Sequence, residues 1–502
     1  MSAVIASQPA PSGAVATFLD KAPRLLIDGE WVESTSGATI SVIDPSTGAE
    51  VAITPDAGTS DVDRAVAAAR KALEEGRWST MLPAERQNLI WRLADLIDQH
   101  ADELAELESI DNGKTKFMAG IIDVPGARDY FRYMAGWATK IEGSTIDISV
   151  PAREGGRVSA YTLREPVGVV AQIIPWNFPL AMASWKLGPA LAAGCTTILK
   201  PAEQTPLTAL RLGELIIEAG FPPGVINILT GHGESTGAAL VRHPGVDKVA
   251  FTGSTEVGKL INREATETLK RVSLELGGKS PVIVLPDFDI AGAAGGAANA
   301  IFFNAGQVCA AGSRLYIHSK IYDKVVEGVA EAAAKIRLGP GLDPETEMGP
   351  LVSKEQQDRV LSYIESGRKD GASVVTGGDA PTNQGYYVSP TVLATTRDDI
   401  SVVQEEIFGP VVVAQRFDDL NEIARVANNT NYGLAASIWS NDLTAVNRLV
   451  PRIKAGTVWV NCHGFVDPNM PFGGYKQSGI GRESGRVAIE MYTELKSVCT
   501  MS

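Results

Sequence analysis

Two reactive side chains lie in glycine-rich surroundings in the middle of the chain. Cys309 occupies the segment NAGQVCAAGSR (304–314), and no acidic residue lies close to it in the sequence. A single cysteine is most often an inert buried side chain, but a loop thiolate is a nucleophile. Glu275 lies among apolar residues in LELGGKSP (274–281). Burial raises a carboxyl pKa, which suits Glu275 to be a general base near neutrality.

Asn177 is a third candidate, in the turn IIPWNFP (173–179) that follows a strand-like run. Its amide has two interpretations that the sequence leaves open. It could form the local hydrogen bonds of an Asx turn. It could instead donate to an oxyanion that develops during a reaction.

Two further loops have the composition of ligand sites. LKPAEQTP (199–206) places Lys200 and Glu203 together, and a carboxylate there suits ribose hydroxyls. FTGSTEVGKL (251–260) approaches a nucleotide-binding P-loop, but Leu260 stands where Ser or Thr would hold Mg²⁺. The second loop therefore does not predict an NTPase. What remains is a glycine turn opening a helix, which can bind a phosphate without a metal.

These loops follow strand-like runs that alternate with helical patterns. The runs are β-branched and continuous, as in strands buried on both faces, which predicts a parallel sheet with helical crossovers. They are VGVVAQII (167–174), CTTIL (195–199), VINIL (225–229) and KVAF (248–251). A second series from Val282 onward predicts a second α/β domain. Ligands bind beyond the carboxyl ends of such strands, where these loops lie.

Composition excludes several classes of protein. The 502 residues are 44% apolar and 21% charged, which is typical of globular domains. A net charge of −14 without a basic stretch argues against a nucleic-acid or membrane-surface binder. Pro175 and Pro179 interrupt the uncharged stretch 166–185, which favours a buried strand and turn over a membrane span. Residues 1–17 lack Lys and Arg and predict a flexible tail.

The four cysteines are scattered and the five histidines form no ligand motif. We therefore expect no disulfide framework and no metal site, and a reducing, cytoplasmic location.

Seven motifs together resemble the aldehyde dehydrogenase superfamily, in the same order and over the whole chain after the tail. They are PWNFP, KPAEQTP, FTGSTEVG, ELGGK, GQVCAAGSR, EEIFGP (405–410) and PFGGYKQSGIGRE (471–483). The segments VCAAGSR, AGTVWVN and NMPFGG, the last preceded by an HGFVD loop, are most similar to those of bacterial phenylacetaldehyde dehydrogenases. The resemblance implies an α/β fold: a Rossmann-like parallel-sheet cofactor domain, an α/β catalytic domain and a small β oligomerisation element.

The resemblance also implies a role for each matched residue. Cys309 would be the nucleophile, Glu275 the general base and Asn177 half of the oxyanion hole. Lys186 and Glu483 would lie behind the nucleophile, on the proton route. NAD would be held by Trp176, Lys200, Glu203, Gly253, Ser254, Gly258, Glu406 and Phe408. The substrate pocket would be lined by Phe178, Met182, Trp185, Phe303, Phe465 and Phe472.

Domain boundaries follow from the same resemblance. We expect an NAD-binding domain at 18–140 and 166–277, a catalytic domain at 278–478, and an oligomerisation element at 141–165 and 479–502. The last should complete a neighbour's sheet in a homo-oligomer, a tetramer rather than a dimer. The expected partner is a small aldehyde, with no nucleic acid and no membrane.

Several alternatives remain open from sequence. An enzyme that transfers the acyl group to coenzyme A would share the cysteine chemistry but would not need Glu275. A non-catalytic structural member would share only the fold. An apolar, ring-lined pocket favours arylacetaldehydes, while aliphatic aldehydes, betaine aldehyde and semialdehydes are the alternatives.

Overall fold

The computed structural model describes residues 8–151 and 156–501. The first seven residues of the expected tail lie outside the described residues, as do positions 152–155 and 502 of the expected oligomerisation element.

Strands make up four sheets. In chain order they are β1 (Leu25–Ile27), β2 (Glu30–Val32), β3 (Thr39–Asp44), β4 (Ala49–Pro55), β5 (Thr145–Ile146), β6 (Val158–Pro166), β7 (Val169–Ile173), β8 (Thr196–Lys200), β9 (Ile226–Ile228), β10 (Lys248–Thr252), β11 (Arg271–Glu275), β12 (Pro281–Val284), β13 (Arg314–His318), β14 (Ser373–Thr376), β15 (Thr391–Ala394), β16 (Val411–Phe417), β17 (Ala435–Trp439), β18 (Thr457–Val460), β19 (Gly479–Ile480) and β20 (Thr493–Met501).

Helices connect and cover these sheets. They are α1 (Gly13–Leu19), α2 (Thr59–Glu74), α3 (Pro83–Gln99), α4 (Ala101–Asn112), α5 (Lys116–Met118), α6 (Val124–Ala135), α7 (Pro179–Ala193), α8 (Leu207–Ala219), α9 (Ala238–Arg242), α10 (Thr255–Ala265), α11 (Ile290–Phe302), α12 (Tyr322–Lys335), α13 (Lys354–Lys369), α14 (Ser401–Gln404), α15 (Leu420–Ala427), α16 (Leu443–Leu449) and α17 (Gly485–Met491).

The first large sheet has the strand order β19-β11-β10-β7-β8-β9-β1-β2. Its five central strands, β11 to β9 in this order, pair in parallel, and the outer strands pair antiparallel. Strands β7, β8 and β9 are buried at every position, which explains their continuous apolar sequence. The predicted parallel sheet with helical crossovers is confirmed.

The second large sheet has the order β14-β15-β16-β13-β12-β17-β18. Its neighbours pair in parallel except for β14 at one edge. All seven strands fall within the expected catalytic domain, 278–478. Two large apolar cores, one under each sheet, agree with two α/β units in one chain.

A separate three-stranded sheet joins β5, β6 and β20. Here the expected boundary at residue 479 is wrong. β19 pairs with β11 in the first sheet, and α17 places Ala488 and Ile489 in the core beneath that sheet. Of the described segment 479–501, only β20 pairs with β6, and it does so along its whole length. The apolar face of α17 explains the difference. Because that face packs against α7, residues 485–491 form a helix of the first unit and not part of the β element.

The expected flexible tail is also wrong for its second half. Residues from Gly13 form α1, whose first turn is capped by the Ser12 hydroxyl. Val15 and Phe18 are buried against Leu107 and Ile110 of α4. Val15 and Phe18 lie three positions apart on one face of α1, and this face packs the helix against α4. Across the described residues, no helix is long and apolar enough to cross a membrane.

Candidate active site

The predicted site residues follow the carboxyl ends of neighbouring parallel strands. β8 ends at Lys200 and β11 ends at Glu275, while the turn with Asn177 follows β7. Ser254 follows β10 and begins α10. Because parallel strands end at the same edge of a sheet, their end loops form one crevice.

Cys309 occupies a tight turn between α11 and β13. The Ala311 N–H donates to the Val308 carbonyl at 3.0 Å, so that Cys309 and Ala310 are the central residues of the turn. Burial raises the pKa of the Cys309 thiol to about 12, with a smaller contribution from Glu406 and Glu275. The backbone N–H groups of Ala310 and Cys309 oppose this increase. The thiol is therefore held mostly protonated at neutral pH by the protein alone.

Asn177 lies beside this turn and is almost fully buried. Its amide donates to the Gln307 carbonyl at 2.9 Å. An amide nitrogen has two protons, so one remains for a further acceptor. The side chain thus ties the turn after β7 to the segment that carries Cys309, which goes beyond a local Asx turn.

Glu275 is a buried carboxyl group at the end of β11. Its pKa is raised well above the usual range by burial and by the nearby Glu483, while Lys186 and Arg482 oppose the increase. One of its oxygens, Oε2, has no hydrogen-bond partner in the described part of the chain. A Cβ added at Gly473 would lie 2.7 Å from Oε1, so this glycine is what allows the loop to approach the carboxyl group.

Lys186 and Glu483 form a buried ion pair behind Glu275. The Lys186 ammonium donates to Glu483 Oε1 at 2.5 Å, and both side chains are inaccessible to solvent. The charges of Lys186 and Glu483 both act on Glu275, and their pairing was not expected from the sequence.

The loops after β8 and β10 form a polar side of the crevice. Lys200 Nζ lies 3.6 Å from a Glu203 carboxyl oxygen and donates to the Pro201 carbonyl. The Ser254 hydroxyl caps α10 by accepting from the Val257 N–H. The other N–H groups of that first turn make this a site for an anion.

Two glycines bring α10 close to its sheet. A Cβ at Gly258 would lie 2.4 Å from the Leu276 side chain, and one at Gly253 would lie 2.4 Å from the Phe251 ring. The glycines at 253 and 258 thus serve packing as well as the turn.

Glu406 and Phe408 approach the crevice from the second sheet's side. Glu406 Oε1 accepts from the Gly278 N–H at 2.8 Å, and burial raises the Glu406 pKa to about 7. Phe408 has a φ of 60°, a costly conformation for a bulky residue, and its ring meets the Trp176 ring edge-on at 5.2 Å. Strain held at such a position is typical of functional sites.

These groups fit a dinucleotide such as NAD. A helix N-terminus matches a diphosphate, the Glu203 and Glu406 carboxylates match ribose hydroxyls, and Trp176 with Phe408 offers a ring wall. The fit rests on the chemistry of the donors and acceptors present.

Aromatic rings gather next to Cys309. The Trp185 ring meets Phe472 at 5.5 Å and stacks on Tyr130 at 5.8 Å. Trp185 and Cys309 both pack against the apolar cluster that contains Phe472. Trp185 and Phe472, two of the expected pocket residues, therefore lie near Cys309.

The other predicted pocket residues lie in different places. Phe178 stacks on Phe303 at 6.0 Å, and both line a small cavity with Lys114 and Met348. Met182 packs against the core beneath the first sheet. Phe465 is 71% exposed, so it lies at the surface rather than in a buried pocket. Val466 and Met470 of the same loop are exposed as well, so they do not cover Phe465.

Sequence reasoning missed the residues that brace the Asn177 turn. The Asn112 amide donates to the Trp176 carbonyl at 2.7 Å, and the Asn304 amide donates to the Asn177 carbonyl at 3.0 Å. Asn304 is also part of a left-handed kink before Cys309. The only sequence signal was two asparagines next to glycine-containing segments, which is typical of ordinary turns.

No group of three or more His, Cys, Asp or Glu side chains suited to a metal occurs in residues 8–151 and 156–501.

Comparison with known proteins agrees with this geometry. The chain matches the aldehyde dehydrogenase family over residues 31–498. It is 53% identical to a putative aldehyde dehydrogenase of Bacillus subtilis over 482 residues, covering 96% of each chain. It is 53% identical to the phenylacetaldehyde dehydrogenase of Pseudomonas fluorescens over 477 residues, covering 95% of each.

A solved structure extends the agreement to the fold. An aldehyde dehydrogenase from Bacillus cereus, determined as an NAD⁺ complex, superimposes with a TM-score of 0.96 at 50% identity, covering 98% of this chain and 99% of that one. The chain belongs to the aldehyde dehydrogenase family.

Proposed function

We propose that this protein oxidises arylacetaldehydes, with phenylacetaldehyde as the first candidate, to carboxylic acids with NAD⁺. The observation that carries the substrate class is the pair of rings Trp185 and Phe472, which share an apolar cluster with Cys309. Burying an aromatic group in such surroundings contributes about 1.5–3 kcal/mol. The 53% identity to a phenylacetaldehyde dehydrogenase supports the same substrate.

In the first step the Cys309 thiol loses its proton to solvent, and the resulting thiolate adds to the aldehyde carbon. The carbonyl becomes a tetrahedral thiohemiacetal whose oxygen carries a negative charge. The free amide proton of Asn177 and the Cys309 backbone N–H would stabilise that charge in a dry site. The bond from Asn177 to the Gln307 carbonyl holds the amide at the nucleophile's segment.

Bound NAD⁺ supplies a hydride acceptor for the second step. Loss of hydride from the former aldehyde carbon leaves a thioester on Cys309. Trp176, Lys200, Glu203, Gly253, Ser254, Gly258, Glu406 and Phe408 are the residues proposed to hold NAD⁺ in place.

Hydrolysis of the thioester completes the reaction. Glu275 takes a proton from water, and the resulting hydroxide displaces the Cys309 thiolate to release the acid. A buried carboxyl group with a raised pKa suits this role. Transfer to coenzyme A would need no such base, so the buried Glu275 favours hydrolysis.

We also infer a homo-oligomer, a tetramer rather than a dimer. The sheet β5-β6-β20 carries exposed apolar side chains at Ile146, Tyr161, Leu163 and Leu495. An exposed sheet edge is normally paired or protected, and a second copy is the partner we expect. The four cysteines are all unpaired, which supports a reducing cytoplasmic location.

A substrate panel tests the proposed function. We expect kcat/KM, followed by NADH absorbance, to be higher for phenylacetaldehyde than for acetaldehyde, succinic semialdehyde or betaine aldehyde. Phe472→Leu should reduce the preference for phenylacetaldehyde over acetaldehyde by about tenfold, because it removes a ring contact. Phe465→Leu is the matched control, since Phe465 is exposed and should leave the preference unchanged. A preference for betaine aldehyde or succinic semialdehyde would contradict the pocket assignment.

A further inference from the structure

His463 lies between two loops that meet at the active site. It follows β18, and its Nε2 is 3.0 Å from the Ala310 carbonyl oxygen. Its Nδ1 is 3.1 Å from the Ser437 hydroxyl of β17. The imidazole therefore bridges the second sheet and the turn that carries Cys309. In the sequence alone, nothing distinguishes His463 from the other scattered histidines.

Hydrogen-bond chemistry determines which nitrogen carries the proton. A carbonyl oxygen only accepts, so Nε2 must donate to Ala310. In the neutral ring Nδ1 then accepts from the Ser437 hydroxyl. Burial lowers the pKa of His463 to about 4, which keeps the ring neutral at physiological pH. Both nitrogens are thus used, in one tautomer.

The bond to Ala310 acts on the backbone next to the nucleophile. Ala310 is a central residue of the turn that the Ala311 N–H closes onto Val308. Fixing the Ala310 carbonyl fixes the peptide plane that follows it. The N–H groups of Cys309 and Ala310 favour the thiolate, so the orientation of this turn decides how well they do so.

The imidazole of His463, which belongs to the loop at 461–470, also contacts Trp459 of β18. Its ring lies 4.7 Å from the Trp459 ring, and Trp459 Nε1 donates to the Phe465 carbonyl at 2.9 Å. Trp459 thus links the imidazole to the backbone of the loop at Phe465.

We propose that His463 is a positioning residue that holds the turn of Cys309 in its reactive orientation through the Ala310 carbonyl. The proposal rests on the assignment of Cys309 as the nucleophile. Its effect falls on formation of the thioester and not on binding of NAD⁺ or on hydrolysis.

Two substitutions separate the two hydrogen bonds. In His463→Gln the amide nitrogen reaches the place of Nε2 and can still donate to Ala310. In His463→Asn the shorter side chain reaches only the place of Nδ1. Ser437→Ala is the matched control, because it removes the other bond of the ring and leaves the Ala310 bond.

The measurements are the first-turnover rate of NADH formation from phenylacetaldehyde and the rate of Cys309 alkylation by iodoacetamide. We expect H463N to lower both rates by about tenfold or more, since small misplacements of reacting groups are costly. H463Q and S437A should stay within about threefold of the parent protein. The NAD⁺ dissociation constant and the rate of thioester hydrolysis should be unchanged in all three.

Three outcomes would overturn the proposal. H463N could react as fast as the parent, H463Q could be as slow as H463N, or S437A could be as slow as H463N. A slow H463Q decides the matter even where H463N does not fold. Cys309→Ala in the same assay separates the two hypotheses, because NADH formation in that variant would refute the nucleophile assignment itself.

Discussion

Two buried polar regions lie close to the Asn177 turn, and they differ in whether the central side chain keeps its charge. In the first, the Lys114 ammonium lies 3.0 Å from Glu108 Oε1 and 2.7 Å from Asp123 Oδ1, over the Phe178 ring. The carboxylates raise the Lys114 pKa although burial opposes them. In the second, burial raises the pKa values of Cys309 and Glu275 and favours their neutral forms.

The difference is the presence of partners. A buried charge persists where opposite charges and hydrogen bonds replace its water. Lys114 has them, and Glu108 also accepts from the Leu180 N–H at the start of α7, so this region braces the structure. In the described residues, Glu275 Oε2 and Asp123 Oδ2 both lack a hydrogen-bond partner, but the other oxygen of Asp123 is paired with the Lys114 ammonium. A buried carboxyl group with a raised pKa is typical of a functional site.

The largest expected effect is the loss of the nucleophile. Cys309→Ala should lower aldehyde oxidation by roughly three orders of magnitude or more, because no other group can form the thioester. NAD⁺ binding and the fold should be unchanged, as checked by calorimetry and circular dichroism. More than a trace of remaining activity would mean that a different cysteine reacts.

Glu275→Gln comes next and should act after hydride transfer. We expect a burst of about one NADH per site followed by turnover about 100-fold slower, the usual contribution of a general base. The base form of Glu275 exists above its raised pKa, so hydrolysis in the parent should speed up as pH rises through that value. Stopped-flow absorbance across pH tests both points. Full steady-state turnover in the variant would remove Glu275 from this role.

The buried ion pairs of Lys114 with Glu108 and Asp123 should contribute to the free energy of unfolding. Lys114→Met leaves Glu108 and Asp123 buried without their cation and should cost about 3 kcal/mol in the free energy of unfolding. Lys354→Met is the control: Lys354 and its partner Asp358 are both exposed, and the substitution should cost about 0–1 kcal/mol. Urea unfolding of both variants measures the difference. Equal losses in the free energy of unfolding for the two variants would contradict the stabilising role assigned to Lys114.

The smallest effect concerns the cofactor. NAD⁺ should be preferred over NADP⁺, because a 2′-phosphate near Glu203 would place two anions together at a cost of about 1 kcal/mol. Lys200 lies 3.6 Å from Glu203 and already donates to the Pro201 carbonyl, which limits its help to a phosphate. Glu203→Gln should narrow the ratio of kcat/KM values for the two cofactors. Equal values in the parent would refute the argument.

The sequence by itself determined the parallel sheet and the order of the loops, and it singled out Cys309, Glu275 and Asn177 as candidate reactive side chains. A continuous β-branched run such as 167–174 is typical of a strand buried on both faces, so this pattern predicts a parallel sheet. The motifs around Cys309, Glu275 and Asn177 are local, because a turn and its reactive residue lie within a few positions of each other.

Only the tertiary structure decided which partners these residues receive. The bonds from Asn177 to Gln307 and from His463 to Ala310 span 130 and 153 positions, distances at which local patterns carry no information. The placement of α17 and the exposure of Phe465 likewise depend on what packs against them. Burial, which is a property of the whole fold, favours the neutral forms of Cys309 and Glu275 and opposes the charge that carboxylate partners maintain on Lys114.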